Sequence, residues 1–165
     1  MSYIRHADLS DLDLVTEVEN TCFPPQEAAS REVFADRLKT YPKHFWLYFE
    51  DTPEGCRLVS FVDGMVTDEP DLKDCMYASA SLHNEKGAWQ MIFGVNTLPA
   101  FRRQGFAGRL LCEAIAQAQR ENRRGLVLTC KDALVHYYAY FGFEDEGISD
   151  SAHGNATWHQ MRLTF

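Results

Sequence analysis

Residues 89 to 118 constrain the chain more than any other stretch, because they spell a buried strand, a small basic turn and an amphipathic helix in succession. Trp89 to Val95 is seven mostly apolar residues with Gly94 near its end, the pattern of a central strand. Ala107, Leu110, Leu111, Ala114, Ile115 and Ala118 recur at offsets that share one helix face. Between them lies Phe101-Arg102-Arg103-Gln104-Gly105-Phe106-Ala107-Gly108. A helix N-terminus leaves its first amides outside the hydrogen-bonded ladder and carries partial positive charge, so such a turn is suited to a pyrophosphate. Gly105, Ala107 and Gly108 let the backbone come close, and Arg102 and Arg103 add full charge beside Gln104 and Phe106. An ordinary basic loop capping a helix would read the same way on these residues alone.

The flanking sequence supplies the rest of a mixed α/β domain. Tyr3 to Arg5 predicts a first strand, and Ser10 caps a helix carrying Leu14, Val15, Val18 and Cys22 on one face until Phe23-Pro24-Pro25 ends it. A second helix is expected from Ser30 to Leu38. Phe45 to Phe49 and Leu58 to Val66 flank the polar turn Asp51-Thr52-Pro53-Glu54-Gly55, the pattern of a β-hairpin. Residues 67 to 87 are mixed and acidic, with a short helix over Leu72 to Ala78, and are expected to form a functional loop or lid. Leu126 to Cys130 predicts another buried strand, Ala133 to Phe141 a short helix, and Glu144 to Ile148 with Trp158 to Phe165 two closing strands. The order implies a mixed sheet with helices on both faces, and 165 residues fit one domain spanning 1 to 165.

Several function classes fall away. Gly-x-Gly-x-x-Gly is absent, no acidic residue ends a second strand about 20 residues on, and Gly-Lys-Ser/Thr does not occur. The formal net charge of -8 repels phosphate backbones and anionic membranes while favouring cationic amines. Five scattered cysteines without a C-x-x-C pair indicate neither a disulfide framework nor a metal site. With no apolar run of membrane-spanning length and no signal-peptide pattern, the expectation is a cytoplasmic monomer or homodimer.

The residues resemble the GCN5-related N-acetyltransferase (GNAT) family, whose pyrophosphate loop reads Gln/Arg-x-x-Gly-x-Gly/Ala. Arg102-x-x-Gly105-x-Ala107 fits that loop, and Tyr138-x-x-x-Gly142-Phe143 fits the family's second signature about 35 residues on. Leu128-Thr129-Cys130-Lys131-Asp132-Ala133-Leu134-Val135, together with Arg57-Leu58-Val59 and Asp68-Glu69, is similar to the family's serotonin (arylalkylamine) acetyltransferase-like members. The resemblance implies acetyl-CoA as acetyl donor, with no metal, and a small-molecule primary amine, an arylalkylamine or a polyamine, as acceptor.

It also implies roles. Phe93, Gly94 and Val95 would pair through their main chain with the pantetheine arm. Tyr138 would protonate the departing thiolate. Phe23, Pro25, Trp89, Met91, Thr129, His153 and Trp158 would line the amine pocket. The two histidines those enzymes carry on the central strand are replaced near Trp89 and Met91, so the base must differ. His136 and His153 are candidates, and Asp68 and Glu69 would attract a cation. Two other readings stay open: a protein N-terminal or lysine acetyltransferase, and a non-catalytic acyl-CoA sensor.

Overall fold

In chain order the first half of the computed structural model, which describes every residue from Met1 to Phe165, runs β1 (Tyr3–His6), α1 (Leu12–Cys22), α2 (Arg31–Thr40), β2 (Phe45–Thr52), β3 (Gly55–Asp63) and β4 (Val66–Thr67). Then follow α3 (Cys75–Ala78), β5 (Trp89–Ile92), β6 (Gly94–Thr97), α4 (Phe106–Arg120), β7 (Gly125–Cys130), α5 (Val135–Tyr140), β8 (Glu144–Ile148) and β9 (His159–Thr164). They group into two units, one of Met1–Asp63 with Gly94–Ala114 and one of Gly64–Phe93 with Ile115–Phe165.

In the first unit an antiparallel sheet runs β1-β2-β3-β6. Its hairpin is tighter than the sequence suggests: Thr52 pairs with Gly55 across Pro53-Glu54, and Gly55 takes φ +112 to close the turn. Phe34 of α2 packs edge-on to Phe45 and Phe61, with centroids 6.3 and 6.0 Å away. The first helix starts later than expected because Asp8, not Ser10, is the cap. The Asp8 carboxylate accepts from Ser10 N–H while Asp11 Oδ2 accepts from Asp8 N–H, and this reciprocal box holds a 3-10 turn over Leu9–Asp11 ahead of α1. The second helix lies close to where it was expected, and Ser30, placed in the sequence reading as its first residue, is instead its cap, accepting from Val33 N–H at 3.2 Å.

The second unit holds a mixed sheet, β4-β5-β7-β9-β8, in which β5 and β7 are parallel and the other pairs antiparallel. Leu126, Val127, Leu128 and Met161 are buried in it.

The single strand expected over Trp89 to Val95 is two. Phe93 separates β5 from β6, and each half joins a different sheet. Around the break, the buried Gln90 side chain donates to the Gly64, Met65 and Met91 carbonyls at 3.2, 3.2 and 2.8 Å. A side-chain amide thus satisfies carbonyls where the strands are interrupted, as buried peptide groups require. Within 67 to 87 the helix is only the four residues of α3, followed by a 3-10 turn at Ala80–Leu82. No helix is long and apolar enough to cross a membrane.

Candidate active site

On the first unit, the turn before α4 has the geometry an anion needs. Arg103 (φ 64) and Gly105 (φ 81) are both left-handed, and the space where a Gly105 side chain would stand is open. The earliest helical bond runs from Arg109 N–H to the Gly105 carbonyl at 3.0 Å, so the Phe106, Ala107 and Gly108 amides precede the ladder. Arg102, Arg103 and Gln104 are exposed.

Phe106 is buried, its ring stacked on Tyr48 at 4.4 Å, and Arg109 donates to the Tyr48 hydroxyl at 3.0 Å, which pins the helix start to β2. Its side chain anchors the turn and its main-chain amide remains for a ligand. Arg102 Nε donates to the Thr97 carbonyl at 2.9 Å, and the Cys22 thiol donates to the same oxygen at 3.3 Å. Gly94 and Val95 pair with Asp63 and Val62 of β3. Phe23 and Pro25 follow α1, Phe23 half-buried and Pro25 exposed.

On the second unit, Tyr138 lies in α5 and is 6% exposed. Burial, with Tyr137 and the Cys130 thiol beside it, pushes its phenol above the usual tyrosine value, so it stays protonated at neutral pH. The Gly142-Phe143 pair has a mechanical reason to follow. Phe143 N–H donates to the Tyr138 carbonyl at 3.3 Å and Gly142 N–H to that of Ala139 at 3.0 Å, the paired bonds of a Schellman helix end. Gly142 supplies the left-handed residue (φ +99), and the Phe143 ring closes against Tyr138 at 6.2 Å. His136, on the same helix, is exposed.

Thr129, His153 and Trp158 come together around a residue the sequence reading missed. The Tyr77 hydroxyl lies 3.0 Å from Thr129 Oγ1, and its ring stacks on His153 at 4.6 Å and meets Phe93 at 5.1 Å. Trp158 lies 6.0 Å from His153, whose carbonyl accepts from the indole N–H at 2.8 Å. Asp74 accepts from Ser151 Oγ and from Ala152 N–H, tying the Tyr77 segment to the His153 loop.

Trp89 and Met91 sit elsewhere in this unit. Trp89 is buried between the Arg124 and Arg162 guanidiniums, 5.3 and 4.6 Å from its ring, and Met91 is fully buried with its N–H on the Met65 carbonyl. Asp68 is spent on backbone and amide contacts with Ala88 and Asn84, and Glu69 pairs with Lys73.

The profile of the Acetyltransferase (GNAT) family matches residues 12–143. The chain belongs to that family. Among its GNAT relatives, serotonin N-acetyltransferase from Mesocricetus auratus is 30% identical over 163 residues, covering 88% of this chain and 77% of that one. Two solved structures share the fold: a GNAT-like decarboxylase, GphF, in complex with isobutyryl-CoA (TM-score 0.79, 23% identity, 98% of each chain), and the ribosomal-protein-S18-alanine N-acetyltransferase of Escherichia coli (TM-score 0.73, 16% identity, 99% of this chain and 94% of that one). The mixed α/β architecture expected from the sequence is the GNAT fold.

A second group was also missed. Glu19, Arg37, Asp63 and Asn96 are all buried in the first unit. Glu19 had a readable signal: it falls on the apolar face of α1 with Val15, Val18 and Cys22.

Proposed function

We propose that this GNAT protein transfers the acetyl group of acetyl-CoA to the primary amine of a small molecule, an arylalkylamine or polyamine, by direct attack in a ternary complex. The bound thioester would supply an activated acetyl group. The Phe106, Ala107 and Gly108 amides, with Arg102, Arg103 and Gln104, would hold the diphosphate, and Gly105 gives the clearance for it. Phe93, Gly94 and Val95 would engage the pantetheine arm through their main chain. Tyr138, kept protonated by burial, would donate to the sulfur as the carbon–sulfur bond breaks.

The observation that carries the choice of acceptor is the aromatic group in which Phe93 and His153 meet Tyr77 and Trp158 meets His153, with the Tyr77 hydroxyl on Thr129. Flat rings with polar edges suit an aryl amine and stabilise a cation over a ring face. The kinship to a serotonin N-acetyltransferase supports the same reading. The family resemblance offers Phe23 and Pro25 as further acceptor contacts, and the net charge of -8 favours a cationic substrate. The reading takes residues 1 to 165 as one catalytic domain, acting in the cytoplasm as a monomer or homodimer.

Thiol release from acetyl-CoA, measured with aryl amines, polyamines and peptides in parallel, tests it. Turnover with aryl amines is expected. Turnover with peptides alone would replace this reading by protein acetylation, and CoA binding without turnover on any acceptor would make the chain an acyl-CoA sensor.

A further inference from the structure

One exposed carboxylate joins three of the rings proposed to receive the acceptor. Asp74 stands one turn ahead of Tyr77 at the start of α3, and its main-chain carbonyl accepts from Tyr77 N–H at 3.1 Å. Its side chain reaches the loop that carries His153: Asp74 Oδ1 accepts from Ser151 Oγ, and Oδ2 accepts from Ala152 N–H at 2.9 Å. The Ser151 hydroxyl, donating to Asp74, in turn accepts from His153 N–H at 3.3 Å, and the His153 carbonyl accepts from the Trp158 indole N–H at 2.8 Å. Tyr77, His153 and Trp158 therefore lie on one hydrogen-bonded chain with Asp74 at its joint, although Tyr77 and His153 come from segments far apart in the sequence.

The segment reaches Asp74 from a separate anchor. Arg162 on β9 donates to the Pro70 carbonyl at 2.6 Å and to Asp71 Oδ1 at 2.8 Å, and Gln160 Oε1 accepts from Leu72 N–H at 3.0 Å. Arg162 is held in turn by Glu146 of β8, at 2.9 Å, and by the Trp89 ring. Beyond that anchor, Asp74 and the Tyr77 hydroxyl on Thr129 tie the segment to the rest of the unit. The helix between them, α3, has four residues, too few to hold a conformation by its own hydrogen bonds. The direction in which it presents Tyr77 is set by these ties.

We propose that Asp74 is a positioning residue for the acceptor: by joining the Tyr77 segment to the 149 to 153 loop, it fixes Tyr77, His153 and Trp158 in the arrangement that receives the aryl group. The inference rests on the proposed acetyl transfer and deepens its acceptor site. Asp74 acts through the rings, and no bond to it forms or breaks. Without the joint, two loops would have to be ordered by the acceptor itself, and that lost freedom subtracts from binding. The cost falls on acceptor affinity, because the diphosphate turn before α4 and Tyr138 lie outside the hydrogen-bonded chain. A loss of this kind raises KM for the amine and leaves kcat nearly unchanged.

The test compares wild type, Asp74→Ala and Asp74→Asn with acetyl-CoA and phenethylamine. For Asp74→Ala the expected result is a KM for the amine raised about 10-fold, with kcat within about twofold and an unchanged Kd for CoA by calorimetry. Asp74→Asn keeps a carbonyl for Ala152 N–H and an amide for Ser151 Oγ, so it should recover most of the wild-type KM. Fluorescence supplies a readout that needs no turnover: Trp46 and Trp89 are 2% and 5% exposed while Trp158 is half-buried, so acrylamide quenching reports chiefly Trp158. Quenching should rise in Asp74→Ala and stay at the wild-type level in Asp74→Asn. Should Asp74→Ala fail to fold, Ser151→Ala opens the same joint from the other loop. Wild-type KM and quenching in the folded variant would overturn the inference while leaving acetyl transfer intact, as would an Asp74→Asn variant as impaired as Asp74→Ala. A wild-type protein that binds CoA but acetylates no amine would overturn both.

Discussion

At the residue scale two buried ionisable groups, Tyr138 and Glu19, are held above their ordinary values by burial. Burial holds the Tyr138 phenol above its ordinary range, so it stays protonated throughout the neutral region, as the proposed donor role requires. Tyr138→Phe should lower kcat by about 10²-fold or more and leave the Kd for CoA within a few-fold; steady-state kinetics beside calorimetry check this. Glu19 is raised from the usual 4.5 to about 7, so the folded state binds its proton more tightly than the unfolded chain does. The stabilisation from that proton is complete below about pH 4.5 and lost as pH rises through about 7. Glu19→Gln removes the dependence. Unfolding free energies from urea titrations should therefore fall by about 2–3 kcal/mol more in wild type than in the variant between pH 5 and pH 8. An equal fall in wild type and variant would place the ionisation outside this carboxyl.

At the element scale the most informative structures are the ends of helices. The end of α5 explains why a tyrosine, a glycine and a phenylalanine travel together: the Tyr138 carbonyl, the left-handed Gly142 and the Phe143 ring are parts of one closing turn. Gly142→Ala forces a side chain into φ +99 and brings its Cβ to 3.1 Å from Leu163 Cδ1. It should cost about 1–2 kcal/mol and lower Tm by a few degrees. A neutral result would mean that the turn relaxes freely. Sequence pattern resolved such local elements well: the strand, turn and helix around Gly105, the second helix and the β2–β3 hairpin all follow from residue type and spacing. It resolved poorly what depends on partners distant in the chain. Nothing in Trp89 to Val95 announces that Phe93 will divide the strand, because the division depends on Gln90 satisfying carbonyls at Gly64 and Met65. Tyr77 was hidden for the same reason, since its partners at Phe93, Thr129 and His153 lie far along the chain.

At the scale of the whole molecule, the GNAT assignment rests on a profile match across residues 12–143 and on a relative 30% identical. Fold and family were legible because two short motifs carry backbone geometry, and backbone geometry is what a helix N-terminus and a helix end require of sequence. The acceptor was less legible, because the group of Tyr77, Phe93, Thr129 and His153 is brought together from positions far apart in the chain. The central claim is that the turn before α4 holds the diphosphate of CoA, and calorimetry tests it most directly. Titration of the folded protein with CoA should give saturable binding, and pantetheine, which lacks the diphosphate, should bind far more weakly. Arg102→Ala with Arg103→Ala should weaken CoA alone. No heat with CoA, or equal affinity for CoA and pantetheine, would contradict the account.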